Sequence, residues 1–495
     1  MSRPASEINA TSGQGAGEST KERPALTTPL RFVTAASLFD GHDAAINIMR
    51  RLIQAQGCEV IHLGHNRSVL DIVRAAIQED ADAIALSSYQ GGHNEYFRFM
   101  VDQLRENGAE HIKVFGGGGG TITLDEIKEL EAYGVERIYH PDDGMNLGLV
   151  EMIEDVVARA ESGRKPPGDP GDLRPDNSND VAAILTALEA ELFGEAELKM
   201  KRLEWAGADK QAPVIGITGT GGAGKSSVTD EILNRFLASF PDRNIAVLAV
   251  DPTRRRTGGA LLGDRIRMNS LRSERIYMRS MATRRQNLAT NAMLKDAINF
   301  LRQAGFDLVI VETAGIGQSD SEIVDLVDFP MYVMTSEFGA QSQLEKIDML
   351  DFAELVVLNK FDKRGAEDAL RDVRKQWKRN HLKFDLSDDD TPVYPTIASQ
   401  FNDPGVSWMF DNLMRLLREK CDLPNDGWTP NIDVSLKEPK ATILIPGSRT
   451  RYLAEIAEQG RSINTDIQHQ AQAASLAQHY YETFNDLMSS GAAAD

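Results

Sequence analysis

The sequence is short of cysteine. Only Cys58 and Cys421 occur, far apart in a chain of 495 residues, so neither a disulfide framework nor a cysteine metal cluster is available. Long apolar runs are also missing. None approaches the ~18 residues of a membrane span, and the N-terminus has no apolar signal-peptide core. Positive charge is scarce as well: 54 Lys and Arg stand against 74 Asp and Glu, a net charge of −20. A nucleic-acid groove would need a basic stripe that this balance does not provide. These absences argue against membrane and nucleic-acid partners and suit a reducing cytoplasm. The length predicts roughly two to four domains.

What is present is organised around GTGGAGKS, Gly219 to Ser226, which follows the apolar run VIGIT. It fits G-x-x-x-x-G-K-[ST], the P-loop, in its expected setting of strand, glycine turn and helix. Gly219, Gly221, Gly222, Ala223 and Gly224 offer backbone N–H groups to phosphate oxygens, and Ser227 continues the run. Lys225 is the residue that reaches the β- and γ-phosphates, and Ser226 places a hydroxyl on Mg²⁺. Val228, Ile232 and Phe236 recur at four-residue spacing, which predicts a helix packed on a sheet. The bland alternative is a chance glycine-rich turn. The strand before it and the amphipathic helix after it disfavour that reading, so a nucleoside triphosphate is expected.

Taken in order, residues 1–29 read as a disordered leader, rich in Ser, Gly, Thr and charge. Residues 30–160 alternate five short apolar runs (RFVTAASL, CEVIHL, ADAIALSS, IKVFGG, VERIY) with helix-length segments such as Ala44–Gln56 and Val69–Glu79. That alternation predicts a parallel sheet covered by helices on both faces. Ligands of such sheets bind beyond the carboxyl ends of the strands. FDGHDAA, SSYQGGH and GGGGGT follow the first, third and fourth strands there. His62 and His65 lack a third ligand nearby and read as loop residues.

With Asp40-x-His42 on one such strand end, followed by the serine pair and the glycine run, this region resembles the cobalamin-binding domain of vitamin B12-dependent mutases and methionine synthase. The resemblance implies a flavodoxin-like fold. It makes His42 the lower axial ligand of cobalt, with Asp40 on the other ring nitrogen to fix the tautomer. It also implies a nucleotide tail lying near Ser87 and Ser88, with Gly116 and Gly117 leaving it room. The motif's glycine is Ala45 here and its S-x-L leucine is Tyr89. Taken alone, a D-x-H on a loop is more often an ordinary surface histidine.

Residues 161–210 form a linker, beginning with a Pro-, Gly- and Asp-rich stretch. Val181 to Trp205 then reads as one helix with Leu185, Leu188 and Leu192 along a side, docking one domain on the other or simply capping the second. The second domain is expected over 211–430. IAVLAVD ends in Asp251 and DLVIVET in Glu312-Thr313, acids at strand ends where Mg²⁺ can be held directly or through water. They also admit a reading as solvated loop acids. Asn359-Lys360-Phe361-Asp362 is the N-K-x-D guanine motif, in which Asp362 accepts from the guanine N1–H and N2 amine. That favours GTP over ATP. Ala398-Ser399 falls where a last base-contacting loop is expected.

DPTRRRTGGALLGDRIRM, Asp251 to Met268, and ETAGIGQSD, Glu312 to Asp320, resemble the metallochaperone branch of P-loop GTPases, above all the chaperone of methylmalonyl-CoA mutase. The resemblance implies that Ser226, Asp251, Asp264, Glu312 and Thr313 gather at Mg²⁺, that Arg267 lies close to the phosphates, and that TRRRTGG is a nucleotide-sensing switch. Arg254 and Arg256 also fit a solvated basic loop. No Gln stands at the usual water-positioning place, since Ile316 follows Gly315, and the hydrolytic catalyst stays open.

A cobalamin domain followed by such a G domain is the N-terminal order of the fused isobutyryl-CoA mutases, which this chain resembles over about residues 30–490. The fold class is therefore α/β, two doubly wound parallel-sheet domains joined by a linker, with a helical segment over 431–495. The resemblance implies adenosylcobalamin, Mg²⁺ and GTP or GDP as ligands, and a homodimer. It also implies an acyl-CoA-binding TIM barrel, on a longer chain or a partner subunit, because no barrel-length region follows here. The alternative is a stand-alone GTPase chaperone delivering the cofactor to a separate mutase. Between them lies a two-subunit mutase whose large subunit is encoded separately.

Overall fold

The computed structural model describes residues 28–164, 173–207, 212–252, 259–283, 287–313, 320–338, 344–439 and 452–491. Most of the leader, Arg254, Arg256, Gly315 and Ile316 lie outside the described residues.

The first sheet is built by β1 (Arg31–Ser37), β2 (Glu59–Arg67), β3 (Ala83–Ser87), β4 (Lys113–Gly117) and β5 (Arg137–Tyr139). Between them run α1 (Asp43–Ala55), α2 (Val69–Gln78), α3 (His93–Glu106) and α4 (Leu124–Tyr133), followed by α5 (Pro141–Leu147) and α6 (Leu149–Glu161). All strands pair in parallel. Alternate side chains point to opposite faces. Val33, Ile61 and Ile84 meet α2 and α3 on one side, while Phe32, Val60 and Phe115 meet α1 and α6 on the other. Strand order runs β5-β4-β3-β1-β2. The chain's direction across the sheet therefore reverses at β1/β3, where a ligand crevice opens.

Five strands are expected here, yet the sheet has six. The sixth comes from the other half of the chain. Residues Ala260–Leu262 pair in parallel with Glu59–Ile61 on the free edge of β2. Periodicity cannot reveal this, because a three-residue strand carries too little pattern and its partner lies about two hundred positions away. The region around His62 and His65 also departs from expectation. Both lie within β2, and His62 is buried and hydrogen bonded to Thr34 Oγ1 at 2.9 Å.

The expected single helix over 181–205 is two: α7 (Ser178–Glu189) and α8 (Glu195–Ala206). Glu191 takes a left-handed φ of 54° and Leu192 N returns to Ala187 O at 3.0 Å, a helix-ending pattern. Gly194 then caps the second helix.

The second sheet holds β6 (Val214–Gly219), β7 (Ile245–Pro252), β9 (Ile276–Thr283), β10 (Leu308–Thr313), β11 (Phe329–Thr335), β12 (Leu355–Asn359) and β13 (Val393–Thr396); the strand Ala260–Leu262 is β8. Its order is β13-β12-β11-β6-β10-β7-β9, all parallel. The principal helices are α9 (Lys225–Ser239), α10 (Asn287–Gln303), α11 (Ala366–Asn380) and α12 (Pro404–Cys421). Val228, Ile232 and Phe236 of α9 are buried against β6 and its neighbours.

The two sheets share a polar seam. Arg31, Glu59, Glu79, Arg265 and Arg279 are all buried. Arg31 pairs with Glu59 at 2.8 Å, Arg265 with Glu79 at 2.7 Å, and Arg279 with Glu189 of α7. Glu79 also accepts from the Ser280 hydroxyl at 2.8 Å. Buried charges survive only when paired and hydrogen bonded, and here each carboxylate meets at least one guanidinium. Residues 441–495 form a separate unit, whose described part is dominated by α13 (Tyr452–Ser489), 38 residues long. Among the described residues no helix is long and apolar enough to cross a membrane.

Candidate functional site

Two ligand sites are built on the carboxyl ends of the two sheets. At the first, the loop after β1 carries Asp40 and His42. Asp40 is fully buried. Its Oδ1 lies 2.8 Å from His42 Nδ1 and accepts the His42 backbone N–H at 2.8 Å, while Oδ2 accepts the Tyr89 N–H. One carboxylate thus joins the ends of β1 and β3. A carboxylate on Nδ1 selects the tautomer that presents a lone pair at Nε2. The His42 side chain is 68% exposed, so that nitrogen faces outward. Tyr89 packs beside the imidazole with ring centres 5.4 Å apart, a role that its place in the motif did not suggest.

Behind this loop a cavity of about 280 Å³ enters the sheet edge. Ala45, Ile46, Met49, Phe115 and Met152 make it mostly apolar, and Gly116 and Gly117 give it backbone walls. Ser87 also lines it, and its buried hydroxyl has no hydrogen-bond partner. A buried hydroxyl left unpaired in a ligand-sized apolar cavity calls for an explanation. Ser88 does not line the cavity; its hydroxyl accepts from Ser37 Oγ at 3.0 Å. Gly116 has a packing reason of its own, because a Cβ there would run into the Phe97 ring.

The second site is the P-loop. Gly219 must lack a side chain, since a Cβ would collide with the Val333 carbonyl. Gly222 and Gly224 take left-handed φ values of 75° and 93°, so the turn closes and α9 starts at Lys225. The Lys225 ammonium donates to Gly219 O at 3.0 Å. Asn359 ties the guanine motif to this loop: its Nδ2 donates to Ala223 O at 2.8 Å, and its Oδ1 accepts from Thr396 Oγ1 and Ala398 N. Lys360 reaches Gly222 O at 2.6 Å. Asp362 and Ser399 are exposed beside it.

The family models match in the same order as these sites. One for the B12 binding domain covers residues 30–146, and one for the methylmalonyl Co-A mutase-associated GTPase MeaB covers 182–418. A putative GTPase of Pyrococcus abyssi is 30% identical over 53% of this chain and 75% of its own length. The chain belongs to the family of this GTPase, and its second half carries the match to the MeaB model. Joined to a B12 binding domain, it is also similar to longer proteins. The fused isobutyryl-CoA mutase of Geobacillus kaustophilus is 51% identical over 90% of this chain and 41% of that protein. The one from Cupriavidus metallidurans is 51% identical over 93% and 42%. The chain spans about two-fifths of the length of these relatives.

Two of the three acids expected at Mg²⁺ meet at one hydroxyl. Ser226 Oγ lies 2.9 Å from Asp264 Oδ1 and 2.8 Å from Glu312 Oε1. Thr229, which the sequence did not single out, donates to Glu312 Oε2 at 2.8 Å. Burial, reinforced by Asp264, pushes both Asp251 and Glu312 up to about 7. Arg267 is exposed, and its charge acts on Asp251 in the opposite direction. Thr313 ends β10. Among the described residues no three His, Cys, Asp or Glu side chains form an all-protein metal cage.

Proposed function

We propose that this chain binds adenosylcobalamin through its first sheet and Mg²⁺·GTP through its second, as the cofactor-handling portion of an acyl-CoA mutase. The observation that carries the reading is the Asp40–His42 pair standing over an apolar cavity whose one orphaned polar atom is Ser87 Oγ. These residues fit the group. His42 Nε2 is the ligand to cobalt, Asp40 keeps it basic, and the cavity takes the nucleotide tail with Ser87 Oγ as its polar contact. When bound, this cofactor supplies radical chemistry by homolysis of its cobalt–carbon bond. Ser226, Asp264 and Glu312 hold the magnesium of GTP directly or through water, and Asp251 and Thr313 stand at the same strand ends. Lys225 and the P-loop amides neutralise phosphate charge. Asp362 selects guanine.

In this reading GTP hydrolysis gates cobalamin loading and release. The acyl-CoA rearrangement, isobutyryl-CoA to n-butyryl-CoA in the complete enzyme, takes place on a TIM-barrel domain or subunit. The working form is a cytoplasmic homodimer. The experiment uses the full chain with adenosylcobalamin, followed by absorbance, and GTP turnover, followed by phosphate release. His42→Ala is expected to lose histidine ligation with GTP turnover retained, and Lys225→Ala to do the reverse. Loss of both activities in either variant would falsify two separable sites.

A further inference from the structure

The end of β2 is irregular. Its register against β1 slips between Thr34 and Ala35 and again between Ala35 and Ser37. Asn66, near this end, has φ +56°, and Phe39, on the loop after β1, has φ +64°. Left-handed backbone at residues other than glycine is strained and persists only where surrounding contacts hold it. One such contact joins the two: Phe39 N donates to Asn66 Oδ1 at 2.8 Å. Phe39 adjoins Asp40, which orients His42. The loop that presents the imidazole is therefore pinned on β2.

The next residue faces the other site. Arg67 Nη2 donates to Ile266 O at 3.2 Å, and Arg67 Nε donates to Leu63 O at 2.6 Å. Tyr96 braces the corner from α3 by donating its hydroxyl to Arg67 O at 2.7 Å. Ile266 sits so close over Gly64 that a Cβ there would lie 2.8 Å from its Cδ1. Ile266 belongs to the 3₁₀ turn Asp264–Arg267. In that turn Asp264 accepts from Ser226 of the P-loop, and Arg265 is fixed by Glu79. The turn that touches the magnesium position thus rests on the same two-residue corner that holds the His42 loop.

We propose that Asn66 and Arg67 are positioning residues shared by the two sites, through which a change at the nucleotide turn alters the seating of His42. The inference rests on the reading of the two sites given above. Contiguity alone does not establish coupling, so the test measures coupling itself. The full chain is titrated with adenosylcobalamin, by absorbance, in Mg²⁺ with either GDP or a non-hydrolysable GTP analogue. The parent is expected to differ in cobalamin affinity by about fivefold or more between the two nucleotides, the lower end of ordinary coupling. Asn66→Gly keeps a backbone that tolerates positive φ and removes only the acceptor. Arg67→Met removes the link to Ile266.

Each variant should still bind both ligands, with the ratio collapsing to less than about twofold. By reciprocity the effect of cobalamin on nucleotide affinity should collapse with it. Arg98→Met, on the exposed pair with Glu129, should leave the ratio as in the parent. Equal cobalamin affinities in the parent with both ligands bound overturn the coupling and leave the two sites standing. A parental ratio that survives in both variants overturns the assignment of these residues. Failure of the parent to bind cobalamin or nucleotide removes the underlying reading, and the inference falls with it.

Discussion

Asp40 holds His42 from one side and Tyr89 from the other: one buried carboxylate accepts from the imidazole at 2.8 Å and from the Tyr89 amide at 2.8 Å. The ligand loop and the end of β3 are therefore set by a single group. Asp40→Asn should weaken cobalamin binding by about 10- to 100-fold, the usual cost of losing a partner behind a metal-bound histidine. Absorbance titration against the parent reads this. Binding within twofold of the parent would show that the carboxylate does not tune the ligand.

Guanine selection is the second point of test. Asp362→Asn keeps one acceptor oxygen for one guanine donor and turns the other into a donor, so the second N–H of the base loses its acceptor and meets an N–H instead. GTP affinity should fall about 100-fold or more, in line with the cost of mismatched polar groups. Xanthine carries a carbonyl at the same position, and xanthosine triphosphate should gain affinity. Fluorescent-nucleotide competition measures both changes.

The acids near Ser226 make magnesium binding depend on pH. Asp251 and Glu312 are raised to about 7 by burial and by Asp264. Both must be ionised to favour the cation, so protons compete with magnesium below that point. Mg²⁺ affinity in the presence of GDP should rise between pH 6 and pH 8, and the Mg²⁺ concentration for half-maximal turnover should fall. A flat titration across that range counts against these acids as the magnesium partners.

The polar seam supplies a stability test. Glu79 has no exposure and faces Arg265, Arg31 and Ser280. Glu79→Gln removes the charge and leaves Arg265 buried beside a neutral amide. The expected loss is about 3–5 kcal/mol, as for other broken buried pairs, read as a lower urea midpoint of the 1–440 unit within the full chain.

Much of this was legible in the sequence, for a physical reason. Both sites are assembled from short runs at strand ends, and a strand followed by Asp40-Gly41-His42, by GTGGAGKS or by Asn359-Lys360-Phe361-Asp362 carries its chemistry and its position together. Thr229 is the instructive omission. It lies one helical turn after Lys225 and faces Glu312, so the pattern of α9 places it on the site side, but the P-loop motif stops at Ser226 and does not reach it. Asn66, Arg67 and Glu79 left no such trace. Their roles depend on partners 27, 199 and 186 positions away in sequence, and on a register slip that no periodicity encodes. The break between α7 and α8 was hidden because apolar spacing continues across Leu192 while the backbone turns at Glu191.

Strand β8 also bears on how such a protein can be cut apart. A fragment ending at the linker would lose the three residues that cap β2 and Arg265, the nearer of the two guanidiniums that meet Glu79. Its exposed edge would be a row of unsatisfied amides and carbonyls beside a Glu79 left with the more distant Arg31 alone, the conditions for self-association. The two halves follow one another along the chain, yet they are interleaved in space. A soluble cobalamin module would have to carry Gly259–Arg267 grafted back onto it.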